Sequence, residues 1–201
     1  MGKELEYKLL IDSEETLRQV LADPLVASLV AEPWQKTQMK TTYFDTSDRR
    51  FSAHGFTLRR RLEGERSVVC LKTPLAQSHA RGEWQICAER IDENAIAQLL
   101  AQGAPTELLA FYGSGEIHPV CGAEFLREHV VLRFADGSRA EIAGDRGILH
   151  GQTERLPFTE LELELLEGEA DEMLTLVHFL CNRYALHEQP LSKYARARKL
   201  K

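Results

Sequence analysis

In one strand-length stretch after another, this chain alternates charged and apolar residues with a period of two. Glu4-Leu5-Glu6-Tyr7-Lys8 opens the series, and Glu160-Leu161-Glu162-Leu163-Glu164-Leu165 repeats it near the other end. Successive side chains of a strand point to opposite faces, so Glu4, Glu6 and Lys8 share one face and Leu5, Tyr7 and Leu9 the other. Two carboxylates about 7 Å apart on one face repel unless cations or water lie between them. One such strand is explained by the wet face of a sheet. A whole set of them demands a sheet with one strongly apolar face and one strongly charged face.

The set is large. Thr57, Arg59, Arg61 and Glu63 fall in phase, opposite Phe56, Leu58 and Leu62. Cys70 and Lys72 are in phase opposite Val69 and Leu71. Arg81, Glu83 and Gln85 share a face, as do Arg127, His129, Val131 and Arg133, and then Arg139, Glu141 and Asp145. The signs are segregated by strand: Arg59, Arg61, Lys72 and Arg127 are basic, while Glu160, Glu162 and Glu164 are acidic. A solvated face usually intersperses the two signs. A sheet curled with its charged face inward would carry a basic side and an acidic side around a lumen, and closure needs about eight strands. Guanidinium and ammonium groups bind phosphate oxygens, and clustered carboxylates bind hard divalent cations. A phosphoanhydride chain with its metal would satisfy both halves.

The order of elements supports such a sheet. Asp12 or Ser13 caps a helix carrying Leu17, Val20 and Leu21, and Pro24 opens a second short helix. A strand follows over 35–44. Strands over 56–62 and 67–73, around Glu63-Gly64-Glu65-Arg66, read as a hairpin. A polar loop (74–80) leads to a strand over 82–89, and Asp92 caps a helix with Ile96, Leu99 and Leu100. Leu108 to Tyr112 form a short apolar segment. Strands over 125–135 and 139–145 flank an Asp136-Gly137-Ser138 turn, with a further short strand over 146–150 and a long one over 158–167. An amphipathic helix spans 171–184, and a short basic helix lies within 192–201. Met39, Phe51 and Phe56 read as core. Hairpin-linked strands with interspersed helices indicate an antiparallel α+β fold.

The 201 residues suffice for a single domain with a real core. A net charge of −6 argues against nucleic-acid binding through a broadly basic surface. No apolar run reaches the roughly 18 residues of a membrane span, and the N-terminus has no apolar signal region, so the expectation is a cytoplasmic protein with no membrane partner. Cys70, Cys87, Cys121 and Cys181 are too far apart for CxxC chemistry and read as small core residues. The seven histidines show no metal-ligand spacing; His129, in phase with Arg127, is the one placed to line the lumen. Trp34 and Trp84 read as core or rim residues.

The ordered motifs resemble those of the CYTH superfamily, the triphosphate tunnel metalloenzymes. Glu4-x-Glu6-x-Lys8 resembles its ExExK signature. Thr42-Tyr43-Phe44-Asp45-Thr46 is similar to the end of its second strand, Leu58-Arg59-Arg60-Arg61 to its paired arginines, Leu71-Lys72 to its lysine strand and Arg81-Gly82-Glu83 to its RxE. Arg127 lies where the family has an arginine. Glu141-Ile142-Ala143-Gly144-Asp145, Glu160-Leu161-Glu162-Leu163-Glu164 and Ser192-Lys193 with Arg196 complete the series. The resemblance implies an eight-stranded antiparallel β-barrel, or tunnel, with helices packed outside and a C-terminal plug helix. It implies that Lys8, Arg59, Arg61, Lys72, Arg81, Arg127, Lys193 and Arg196 bind phosphates. Glu4, Glu6, Glu162 and Glu164 would hold a substrate-bridging Mg²⁺ or Mn²⁺. Glu83 and Asp145 would serve a second, water-activating metal, with Lys193 beside them in the catalytic set and Glu160 and Glu141 in support.

The long acidic strand and the Ser-Lys ending look most like the bacterial inorganic triphosphatase branch, which cleaves tripolyphosphate to pyrophosphate and orthophosphate. In that branch the domain often precedes a helical CHAD domain, so one reading of residues 1–201 is the N-terminal part of a longer chain. The alternatives are a class IV-type adenylyl cyclase making cyclic AMP from ATP, and a non-catalytic polyphosphate-binding module.

Overall fold

Helix caps and turn glycines set the element boundaries. The computed structural model describes residues 2–74 and 80–201, with side chains over 5–74 and 82–201. The strands are β1 (Gly2–Leu10), β2 (Gln35–Thr46), β3 (Thr57–Glu63), β4 (Arg66–Pro74), β5 (Ala80–Cys87), β6 (Ile117–Arg133), β7 (Arg139–His150), β8 (Arg155–Glu167) and β9 (His187–Glu188). The helices are α1 (Glu14–Leu21), α2 (Pro24–Leu29), α3 (Arg50–Ala53), α4 (Glu93–Ala101), α5 (Glu107–Gly113), α6 (Asp171–Tyr184) and α7 (Lys193–Ala197). Ser13, not Asp12, caps α1 by accepting the Thr16 amide at 3.0 Å. Asp92 caps α4 through the Ala95 amide. The β3–β4 turn puts Gly64 at φ 60° and the β6–β7 turn puts Gly137 at φ 88°, a backbone region where a Cβ is disfavoured.

Among the described residues the strands form one antiparallel sheet in the order β5-β4-β3-β2-β6-β7-β8-β1-β9. β1 also pairs with β5, from Gly2 opposite Glu83 to Leu5 opposite Ala80. The first strand of the chain therefore sits between the fifth and the eighth, which brings the opening glutamates beside the late acidic strand. The architecture is α+β and antiparallel, as the alternation requires.

Two apolar clusters cover the outer face. Leu17, Val20 and Val26 of α1 and α2, with Met173, Leu176 and Leu180 of α6, pack on Leu9, Val130, Leu132, Ile142, Leu161 and Leu163. Phe51, Ile96, Leu99, Leu108 and Phe111 of α3, α4 and α5 pack on Leu58, Val69, Leu71, Trp84 and Ile86. These are the strand residues out of phase with the charges. Each fully buried Leu, Ile or Phe contributes about 1.5–3 kcal/mol, enough to overcome the crowding of charge on the other face. A third cluster lies on the charged side: Met39, Tyr43, Phe125 and Phe158 pack with Ala197 of α7.

The structure revises several boundaries. The short strand expected at 146–150 is the continuation of β7, because the β7–β8 ladder runs unbroken past Asp145. β6 starts at Ile117, and α3 and β9 were not legible in the alternation. β5 stops at Cys87, which is exposed and not a core residue; Arg66 Nε donates to its sulfur at 3.3 Å. Within the expected polar loop, residues 75–79 lie outside the described set.

Gly147 is where β7 can tolerate no side chain. A Cβ there would stand 2.1 Å from the Glu124 carbonyl oxygen and 2.5 Å from Phe125 Cα. Gly147→Ala is expected to destabilise the protein by about 1–3 kcal/mol, read as a lowered thermal midpoint. An unchanged midpoint would show that the strands separate freely at this point.

Candidate active site

The in-phase residues converge on one cavity of about 180 Å³. β1 contributes Glu6 and Lys8, β3 Arg59 and Arg61, and β4 Lys72. β5 supplies Glu83 and Gln85, β6 Phe125 and Arg127, β7 Glu141, β8 Glu162 and Glu164, and α7 Lys193 and Tyr194. Glu4 and Arg81 are backbone partners on β1 and β5, but their side chains lie outside the described residues. Asp145, Glu160 and Arg196 do not line this cavity; they stand behind its wall.

The ion pairs separate into two groups. In the first, Glu83 faces Lys72 Nζ at 3.7 Å and Arg59 Nη2 at 3.5 Å, and accepts a hydrogen bond from Cys70 Sγ at 3.0 Å. Burial pushes the Glu83 carboxyl up, but Lys72, Arg59 and the thiol together outweigh it and hold the group at about 2. Burial in turn pushes the Cys70 thiol up to about 11, so it stays protonated and able to donate.

The second group is a buried lattice of three carboxylates and three cations. Arg127 donates from Nε and Nη2 to the two oxygens of Asp145, at 2.8 and 2.7 Å, and also pairs with Glu162. Lys193 Nζ lies 2.7 Å from Asp145 Oδ2 and 2.8 Å from Glu162 Oε1, and pairs with Glu160. Arg196 also pairs with Glu160. Asp145 and Glu160 are fully buried, and oxygens of Asp145, Glu160 and Glu162 lie within 4.8 Å of one another. Burial raises the Glu162 carboxyl, but Lys193, Arg127 and Lys8 hold it well below the carboxylate range. Glu160 is raised, with burial outweighing its cations. Burial alone would lower Lys193; Asp145, Glu160 and Glu162 instead raise it. Lys193 also sits over the faces of Phe125 and Phe158, at 4.9 and 5.4 Å from the ring centroids.

A third feature comes from register alone. Glu6 on β1 is directly opposite Glu164 on β8, and Glu164 is directly opposite Glu141 on β7. Three carboxylates in one row across adjacent strands destabilise the sheet unless positive charge stands among them. Lys8 reaches Glu6 at 2.9 Å and Arg127 Nη1 lies 3.6 Å from Glu141 Oε1, whose other oxygen is 2.9 Å from His129 Nδ1.

The residues that the resemblance groups as one water-activating centre, Glu83 and Asp145, thus have different partners. Arg196 is brought to a carboxylate behind the cavity wall. Gln85 lines the cavity as its phase with Glu83 implied, while Thr41 and Tyr43 were missed as lining residues although they are in phase on their strand. Tyr194 had no signal; its ring packs on Tyr43 with centroids 5.0 Å apart.

Comparison with known proteins identifies the family. The CYTH domain matches residues 2–197. An inorganic triphosphatase of Haemophilus influenzae is 28% identical over 184 residues, covering 90% of this chain and 50% of the relative. The chain therefore spans about half the length of that curated relative. A Hippeastrum protein described as an adenylyl cyclase candidate with dominant triphosphatase activity superposes with a TM-score of 0.64 at 19% identity, covering 98% and 96% of the two chains. A Pyrococcus horikoshii protein gives 0.59 at 17% identity, covering 96% and 97%. At such identities these two structures show the fold alone. With its family match running through all nine strands and into α7, this chain belongs to the CYTH domain family.

Proposed function

We propose that this domain hydrolyses inorganic tripolyphosphate to pyrophosphate and orthophosphate with Mg²⁺ or Mn²⁺, inside a tunnel that the pairing of β1 with β5 would close. The observation that carries the reading is the lining of the cavity. Among the described residues, six cations (Lys8, Arg59, Arg61, Lys72, Arg127, Lys193) and five carboxylates (Glu6, Glu83, Glu141, Glu162, Glu164) face one space of about 180 Å³. Pockets for organic ligands are mostly apolar. A space ringed by cations suits a bare phosphate chain better than a nucleotide.

The donors present fit a hard divalent cation. Glu6, Glu164 and Glu141 form an all-oxygen row whose mutual repulsion such an ion would relieve. In this reading Glu6, Glu162 and Glu164, with Glu4, hold the metal. When bound, it neutralises phosphoryl charge and favours deprotonation of water. The remaining work falls to the chain itself. Arg59, Arg61 and Lys72 bind phosphate oxygens along the basic side, with Lys8 beside them. Lys193 and Arg127 oppose the charge that develops on the departing pyrophosphate. Glu83 stays ionised and orients Lys72 and Arg59. Asp145, with Glu160, fixes Arg127, Lys193 and Arg196 in position from behind. Helix α7 acts as the plug, closing one end of the tunnel through Lys193 and the packing of Ala197.

The test is a substrate panel of tripolyphosphate, ATP, thiamine triphosphate and pyrophosphate, each with Mg²⁺ and Mn²⁺. Tripolyphosphate is expected to be hydrolysed fastest. Absence of phosphate release from tripolyphosphate with either metal would overturn the proposal, and cyclic AMP from ATP would favour the cyclase reading instead.

A further inference from the structure

Arg61 stands where two cavities meet. Beyond the main cavity lies a second of about 320 Å³, bounded by Gln35, Thr37, Met39, Glu63 and His129, and the two share Arg61, Arg127 and Glu141. Arg61 is turned toward the outer one. Its Nε donates to Glu63 Oε1 at 2.8 Å, and Nη2 donates to the same oxygen. Both side chains are largely buried, at 16% and 20% exposure. Among the described residues, Glu63 has one other cation near it, Arg66 at 3.8 Å, whose side chain is 60% exposed. Arg59 and Lys72, on the same basic side, share Glu83 inside the main cavity. Arg61 is set apart: its carboxylate partner lies outside that cavity, in the space next door.

We infer that Glu63 is a specificity-determining residue, a resting counter-ion that holds Arg61 at the junction until a phosphate oxygen takes its place. The inference rests on the triphosphatase reading and adds a regulating element to that site. A charged fork leaves a carboxylate only for a group of comparable or greater negative charge. Glu63 therefore sets a threshold: densely charged phosphate chains displace it, and weaker anions do not. It also weakens binding of the true substrate, because part of the substrate's attraction to Arg61 is offset by losing the Arg61–Glu63 pair. The effect falls on ground state and transition state alike, since the exchange is complete once substrate is bound.

Steady-state kinetics of Glu63→Gln test this. The amide keeps the shape and an acceptor oxygen but not the charge. The KM for tripolyphosphate is expected to fall about three- to tenfold with kcat changed less than about twofold. Calorimetric binding of tripolyphosphate in EDTA should tighten by a similar factor. Glu63→Asp, which keeps the charge, should stay near the parent values. In an Arg61→Gln background the gain from Glu63→Gln should drop below about twofold, because the two act through one another. An unchanged or raised KM in a folded Glu63→Gln protein would overturn the inference, and so would a gain that persists undiminished without Arg61. Glu63→Ser is read the same way should Glu63→Gln not fold. A parent protein that neither binds nor cleaves tripolyphosphate overturns the underlying reading too, an outcome distinct from an active parent with an unresponsive Glu63.

Discussion

Lys193→Met is expected to lower the unfolding free energy by about 3–5 kcal/mol at neutral pH, because it strips one cation from a buried lattice and leaves Asp145, Glu160 and Glu162 facing one another. Methionine keeps most of the packing against Phe125 and Phe158, so the change isolates the charge. Linkage gives the pH dependence. Burial raises Glu162, but Lys193 and Arg127 depress it more, so in the parent its stabilisation is present above the ordinary carboxylate range and lost as pH falls through its folded value. Glu160 has the opposite sign: its raised carboxyl favours the folded state more as pH falls through the raised value. Lys193 lowers both Glu160 and Glu162, so in the variant these two carboxyls move upward, take up protons more readily, and the deficit shrinks on acidification. Guanidinium unfolding at pH 7.5 and pH 5.5 reads both effects. A loss below about 1 kcal/mol at pH 7.5, or a deficit that grows at pH 5.5, would show that the lattice is not what holds α7 to the sheet.

Glu164→Gln is expected to reduce tripolyphosphate hydrolysis by about 10²–10³-fold at limiting Mg²⁺ or Mn²⁺ and to raise the half-saturating metal concentration at least about tenfold. Glu164 is the middle member of the Glu6–Glu164–Glu141 row, with a carboxylate directly opposite on either side. The amide keeps the shape of the side chain, so the protein should stay folded while the rate collapses. Binding of tripolyphosphate in EDTA should not weaken, since the cavity loses a negative charge. Rate as a function of metal concentration is the decisive curve. A variant with the parent's half-saturation point would remove this row from the metal site.

The two variants separate the two kinds of acidic residue in the molecule. Asp145 and Glu160 are sealed and matched by Arg127, Lys193 and Arg196, so their loss is felt first in stability. Glu6 and Glu164 line the cavity and belong to the proposed metal site, so their loss is expected to be felt first in metal dependence.

The alternation of Glu4 to Lys8, Arg59 to Glu63 and Glu160 to Leu165 already determined the strands, their two faces and the antiparallel α+β class, because the side-chain period of an extended chain is a local property. Turn chemistry at Gly64 and Asp136-Gly137 and the cap at Asp92 were legible for the same reason, whereas the choice of Ser13 over Asp12 as the α1 cap was not. The ordered motifs also pointed to the family. Neighbours across strands were not legible. Period two states that Glu83 and Asp145 lie on charged faces, but not that Glu83 meets Lys72 and Arg59 while Asp145 meets Arg127 and Lys193. Nor does it state that Glu6, Glu164 and Glu141 stand in one row. Those contacts depend on strand order and register, which are set by how the outer apolar residues pack beneath the helices and by β1 lying between β5 and β8. The local pattern chose which charges face inward; the packing of the opposite face decided which of them touch.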